Sequence, residues 1–468
     1  MMMLGGIASP SPFPCVFSAL SIVITLVVAL PSVVDAYPAV PDIPLAEIMF
    51  GPYNKDMVDI MGRGGGGGAN LEGVERRTAS QFVAGTGENG ETVGGENDDF
   101  CFISHGCWGG KPPQLSGQQD VSSLISQLLT KSNEDTSSNS EHIRFIVAAG
   151  DNFYKHGVRD KYDDRFFTTF ESFYDGRNAT QRVPWLVALG NHDYYGNWWA
   201  QVNYTYATKE QEKYKHLWHH LTTSDVVVSG RWYMPYPYYA IKVSTDMVVV
   251  VIDTVLLHRC ANSMESCWDG GKQKQIVENW LLHTYANVPY KVVVGHYPVL
   301  ANGPHENFPW LQEWLIPLME KSCASVYIHA DNHYLQVSKK GYQYYANSGG
   351  GAGLRLHFPL KHKSWTKEES IFHAVEYGVM LHCKKDGRIT HRVLDRKGKE
   401  LFRFTSWDEN DAPALQQCLA RLRAENYNAA DTNDSCPLFT FGPLFMIFLV
   451  VVLLSMQRRN RIRPRRYA

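Results

Sequence analysis

Five short apolar runs constrain what this chain can fold into more than any other feature. "IRFIVAAG", "VPWLVALG", "DMVVVVIDT", "YKVVVGHYP" and "ASVYIHAD" are rich in β-branched residues, and each ends in glycine or in polar side chains. Strands that read as continuous apolar runs are buried on both faces, as in an α/β sheet covered by helices. "DFCFISHG" reads as a further strand and "QDVSSLISQLLTK" as a helix between strands. Later segments, "HAVEYGVMLHCKK" and "ITHRVLDRKGKEL", alternate more, the pattern of a second sheet with one solvated face. The expectation is one α/β domain of two stacked sheets over residues 98–410.

The two ends carry a different kind of information. "FSALSIVITLVVALPSVVDA" is an apolar core closed by small residues, so 1–36 read as a secretory signal peptide cleaved near Ala36. Residues 37–97 contain "GRGGGGGAN" and "GTGENGETVGGEN", and glycine this dense predicts a flexible lead-in. "DAPALQQCLARLRAENYNAA" lies in a predicted stalk, 411–436. The twenty residues Pro437 to Met456 are apolar, and at about 1.5 Å per residue they match a hydrocarbon core of roughly 30 Å. Directly after them come Arg458, Arg459, Arg461, Arg463, Arg465 and Arg466. Arginine on that side predicts a short cytoplasmic tail, 457–468, and a single-pass type I membrane protein with a lumenal ectodomain. Eight of nine cysteines fall in the mature chain, as suits an oxidising compartment. Cys260 and Cys267 are close enough in sequence to pair locally, and the other pairings stay open. Asn178 and Asn203 stand in glycosylation sequons. A net charge of −2 gives no basic footprint for nucleic acid, so no nucleic-acid partner is expected.

The polar residues just past the strand ends form a series, where open α/β sheets place their ligands. In chain order they are Cys107, Asp151 with Tyr154, Asn191 with His192, His296, and Asp331 with His333. Acids, imidazoles, an amide, a phenol and a thiol converging on one crevice suit metal ions of hard to borderline character. Any one of them alone is an ordinary hydrogen-bonded residue; the ordered series is the signal.

"GDNFYKHGVRD", "GNHDYYGN", "VIDTV" and "GHYPV" resemble the purple acid phosphatases, especially the tartrate-resistant type, within the calcineurin-like metallophosphoesterases. The resemblance covers roughly Asp98 to Leu354. It implies a four-layer sandwich, two stacked mixed sheets flanked by helices. It also implies a dinuclear centre of iron with a divalent partner (iron, zinc or manganese) that hydrolyses phosphomonoesters. Asp151 would bridge the metals, Tyr154 would give a phenolate to iron, and Asn191 and His296 would hold the divalent ion. His192 would be the acid beside the leaving group. Two cations about 3.5–4 Å apart clamp a phosphate for in-line attack, and imidazole suits protonation of the leaving oxygen.

Two positions depart from the family pattern. Cys107 stands where the family has Asp between Gly and Trp, and Asp331 stands where its last motif has the first His. The iron side becomes Cys107, Asp151, Tyr154 and His333; the divalent side becomes Asp151, Asn191, His296 and Asp331. A thiolate ligates iron or zinc and a carboxylate ligates divalent ions, but Asp is shorter than His, so weakened or absent metal binding is expected. His105 and His329 lie two residues before the changed positions, about 6–7 Å back along a strand, and are poor substitutes. Signal peptide, altered phosphatase-like ectodomain, one span and an arginine tail together resemble the glideosome-associated membrane anchors of apicomplexan parasites. That resemblance implies a place at the inner membrane complex and partners in a gliding motor: myosin heavy chain, myosin light chain and a palmitoylated adaptor. A membrane-bound acid phosphatase with tolerated ligands is the alternative.

Overall fold

The computed structural model describes residues 99–110, 116–134, 141–174, 183–206, 230–269, 271–303, 305, 307–353 and 370–434. The signal peptide, the glycine-rich lead-in, Asn178, the span at 437–456 and the arginine tail lie outside the described residues. Among the described residues no helix is long and apolar enough to cross a membrane.

Among the described residues, two seven-stranded sheets form the core. The first contains β1 (Phe100–His105), β2 (Ile143–Ala149), β3 (Trp185–Ala188) and β4 (Trp232–Tyr233), all parallel. The second begins at β5 (Tyr239–Lys242) and β6 (Met247–Val251), continues through β7 (Tyr290–Val294) and β8 (Val326–His329), and is completed by β9 (Leu335–Lys340), β10 (Gln343–Ser348) and β11 (Ser370–Ala374). Its centre, β6, β7, β8 and β10, is parallel. The apolar runs of the sequence are these central strands, and burial of every residue in "MVVVV" and "YKVVV" explains why they do not alternate. The aromatic stretch 231–241 carries the chain from one sheet to the other, with the Tyr239 hydroxyl donating to the carbonyls of Val187 and Tyr233.

One sequence expectation is corrected. The strands β12 (Gly378–Lys385), β13 (Arg388–Asp395) and β14 (Glu400–Ser406) do not found a second sheet; they extend the first, antiparallel, from the free edge of β1. Alternation reports a half-covered face but not the strand's neighbour. What fixes the neighbour is a long-range pairing: Cys101 lies opposite Cys383 and the two form a disulfide. The sheets meet through Ser104 Oγ on β1 and Ser348 Oγ on β10, 2.8 Å apart, and Tyr344 on β10 stacks on Phe404 of β14.

The helices are α1 (Ser116–Glu134), α2 (Trp198–Thr205), α3 (Thr254–Asn262), α4 (Lys272–Asn279), α5 (Pro309–Ser322) and α6 (Ala412–Asp434). Asp253, just past β6, caps α3 by accepting from the Leu256 N–H. Proline opens α5, where its missing N–H costs nothing. Asn203 lies half-buried on α2. The segment expected as a stalk helix is docked at its start: Leu415, Leu419 and Leu422 are buried and Cys418 is disulfide-linked to Cys323 at the end of α5. Cys260 and Cys267 pair as expected. Replacing Cys418 by Ala should lower unfolding stability by about 2–4 kcal/mol and open α6 to protease in the full-length protein. Unchanged protease resistance would mean that apolar contacts alone seat the helix.

Candidate metal centre

The site is assembled by a clasp between two strand-end loops. After β2 the chain reads Gly150-Asp151-Asn152; after β3 it reads Gly190-Asn191-His192-Asp193. The buried Asp193 carboxylate accepts from the backbone N–H groups of Asn152, Phe153 and Gly190 and from Gln201 Nε2. Asn152 in turn donates to the Ala188 carbonyl and accepts from the indole N–H of buried Trp108. Burial, and next the Asp151 charge, raise Asp193 to about 6. The loops approach so closely that a Cβ on Gly190 would lie 2.3 Å from the Asp151 backbone nitrogen.

Cys107, Asp151 and Asp331 all sit at strand ends with left-handed backbone, φ 54°, 54° and 63°. Such a conformation costs an L-residue about 1–2 kcal/mol, and strain of this kind gathers at functional sites. It turns each side chain inward. Asp151 Oδ1 accepts from the His192 backbone N–H at 3.0 Å. His296 is fully buried; its Nδ1–H donates to the Ala149 carbonyl at 2.8 Å, which leaves Nε2 facing the site. Around that nitrogen stand Asn191 Oδ1 at 3.1 Å, Asp151 Oδ1 at 3.4 Å and Asp331 Oδ1 at 3.6 Å. The other oxygen of Asp331 faces His305 Nδ1 at 3.9 Å. On the opposite side the Tyr154 hydroxyl and His333 Nε2 are 3.0 Å apart. His192 packs edge-on against Tyr154, and its Nδ1–H donates to the Lys155 carbonyl, so Nε2 is its available nitrogen.

All eight site residues read from the sequence therefore meet at one place. Cys107, Asp151 and His333 bring one ligand atom each within 4.8 Å of one another. Ligands at about 2.0–2.3 Å from a shared ion stand no more than about 4.6 Å apart, close to the limit of this spread. A second such group among the described residues, Cys260, Cys267 and Asp269, is closed by its disulfide. Cys107 is the free cysteine among the described residues, and Cys101 does not compete for it, being bonded to Cys383. His105 and His329 play no part. His105 packs among Trp108, Tyr174 and Trp185, His329 stacks on Tyr327, and burial lowers both to about 3. Asp193, Asn152 and His305 escaped the sequence reading. Asp193 lies inside a quoted motif, and the signal that its carboxylate turns away from the pocket to bind backbone N–H groups is conformational.

The charges are tightly balanced. Burial, and next Asp151, raise the Cys107 thiol and the Tyr154 phenol well above their ordinary ranges; a bound cation acts in the opposite sense. Burial works against a charge on His296, but Asp151 and Asp331 outweigh it and raise it to about 9. Burial pushes Asp331 up, and its contacts with His296 carry it below the usual carboxylate range.

Residues 116–335 match the calcineurin-like phosphoesterase family. The tartrate-resistant acid phosphatase type 5 of Rattus norvegicus is 28% identical over 337 residues, covering 64% of this chain and 88% of that protein. The Homo sapiens protein of the same name is 28% identical over 255 residues, covering 50% and 67%. Among solved structures, GAP50, described as the anchor in the inner membrane complex of Plasmodium, superposes with a TM-score of 0.51 at 21% identity, over 69% of this chain and 95% of that one.

The raised His296 carries a pH signature in the metal-stripped protein. Its contribution is full below the unfolded value of about 6.5 and is lost as pH rises through about 9. Between those limits the wild-type chain should lose more unfolding stability than Asp331→Asn, by on the order of 1 kcal/mol. Equal losses in denaturant titrations at pH 6.5 and 9 would remove Asp331 as the source.

Proposed function

We propose that this chain, whose residues 116–335 match the calcineurin-like phosphoesterase family and which is similar in sequence to the tartrate-resistant acid phosphatases, keeps the phosphatase scaffold and serves as a membrane anchor for an actomyosin gliding motor. The observation that carries the reading is Asp331: its carboxylate is shared between His296 and His305 at a position where the family presents imidazole to a second metal. A full dinuclear centre would bring Lewis acidity and a metal-held hydroxide to a phosphomonoester. In this chain Asp151 and Asn191 would hold such ions from one side and Tyr154, His333 and Cys107 from the other, with Asp331 short of the place an imidazole reaches.

Two further features support the anchor role. The fold neighbour GAP50 is described as an anchor in the inner membrane complex. Beyond the described residues, the sequence ends in an apolar span and six arginines, and arginine beside a bilayer attracts anionic lipid at about 1 kcal/mol per residue. In this reading the ectodomain is lumenal, the span fixes it in the inner membrane complex, and the tail reaches myosin heavy chain, light chain and a palmitoylated adaptor. Acid phosphatase activity is the second reading. It is favoured by His192, whose Nδ1 is tied to the Lys155 carbonyl while its ring lies edge-on to Tyr154, leaving Nε2 as its other nitrogen.

The readings separate in one pair of variants of the full-length protein. The anchor role predicts that exchanging the six tail arginines for alanine abolishes recovery of the motor proteins, whereas Asp151→Ala leaves it intact. Phosphate release from p-nitrophenyl phosphate by the wild type, lost in Asp151→Ala, would establish the enzyme reading in its place.

A further inference from the structure

We propose that Cys260, Cys267 and Asp269 form a redox-gated clip: a disulfide when oxidised, and a site for one divalent cation of borderline character, such as zinc, when a dithiol reductant opens it. Cys260 lies in the last turn of α3, and Cys267 and Asp269 lie in the connection to α4. The two sulfurs and an Asp269 carboxylate oxygen stand within 4.8 Å of one another. Two sulfurs and one oxygen make a donor set for zinc that leaves a fourth position to water. The carboxylate is already aimed. Its Oδ1 accepts from the Gly271 N–H at 2.8 Å and its Oδ2 from the Gln273 N–H at 3.1 Å, so its plane is set by the start of α4. The same Oδ1 lies 3.7 Å from Cys260 Sγ and 3.5 Å from Cys267 Sγ. Disulfide sulfurs carry no hydrogen, so this approach yields no hydrogen bond in the oxidised chain. In the dithiol both S–H groups can donate to that oxygen, and a cation shared by all three ligands replaces those two protons.

Of the three disulfides among the described residues, this one is the easiest to open. It spans a sequence separation of 7, against 282 for Cys101–Cys383 and 95 for Cys323–Cys418. Loop-closure entropy grows with the length closed, so the cross-link contributes least here. Access points the same way. Cys260 is half-buried and residues 261–266 are exposed, Met264 among them at 69%, whereas Cys323 is fully buried. A thiolate of the reductant attacks Cys260 Sγ and releases the Cys267 thiolate; the reductant's second thiol then resolves the mixed disulfide. The protein disulfide takes up two electrons and two protons to become two thiols, and the reductant's two thiols become its own disulfide. Zinc binding releases the two thiol protons. The cation restores the cross-link that reduction removes, so the connection between α3 and α4 is clipped in either state. The clip is independent of the anchor role and of the strand-end pocket, with which it shares no ligand.

The test uses the full-length chain purified in detergent and opened with a limiting amount of a phosphine, which is oxidised to its oxide as the disulfide is reduced. Alkylation with mass spectrometry identifies the cysteines that open. Zinc stoichiometry, and the spectrum with cobalt as a substitute, are read before and after reduction, so that any ion in the strand-end pocket cancels. The expected result is alkylation of Cys260 and Cys267 with the other two pairs still closed, one additional zinc per chain after reduction, and a gain in the sulfur-to-cobalt charge-transfer band. Alkylating the two thiols before zinc is added should abolish the additional ion, a control that needs no variant. Asp269→Asn should open equally but hold that zinc at least tenfold more weakly, and near-ultraviolet circular dichroism checks that it is folded. Prior opening of either other disulfide, no additional ion, an additional ion that survives alkylation of Cys260 and Cys267, or an unchanged affinity in folded Asp269→Asn would each overturn the proposal.

Discussion

The buried Asp193 carboxylate is the interaction on which the site depends. It gathers N–H groups from the loop after β2 and the loop after β3 and so holds Asp151 against Asn191 and His192. A carboxylate taken out of water is costly unless every lone pair is used, and here backbone donors, Gln201 and Asn152 use them. Trp108 ties the loop after β1 to the same clasp through its bond to Asn152. The convergence of three strand ends is thus a property of buried polar groups that never face the pocket. Each can be satisfied only when the loops are in register.

On that frame the pocket's chemistry follows from two side chains. Cys107 brings a soft donor into a set otherwise made of oxygen and nitrogen, and its burial suppresses ionisation unless a cation compensates. Asp331 adds a negative charge beside Asp151, and His296 between them is the group that balances both. The two residues therefore differ in what they bring to the site: Cys107 offers sulfur to a cation, and Asp331 joins a cluster of ion pairs around His296.

Much of this was legible in the sequence because strand ends and ligands share short motifs. "GDNFY", "GNHD", "GHYP" and "ADNHY" announce both the end of a buried strand and the side chain presented there. Long-range partnership was not legible. The alternation of 378–395 gave the exposure of β12 and β13 but not their place beside β1, which rests on Cys101 meeting Cys383 across 282 residues. The docked start of α6 was hidden for the same reason: Cys418 finds Cys323, 95 residues away. His105 and His329 were placed correctly as poor substitutes, since the alternation of a strand fixes the distance back along the chain. The aromatic wall that encloses His105, by contrast, is assembled from distant segments and has no local signature.

The central proposal is that Asp331 leaves this site unable to hold the metal pair of a hydrolytic phosphoesterase. Anomalous diffraction from crystals grown with zinc tests it most directly. The account predicts fewer than two peaks at the ends of β1, β2, β3, β7 and β8. Two peaks separated by about 3.5–4 Å, the spacing of a hydrolytic pair, would contradict it.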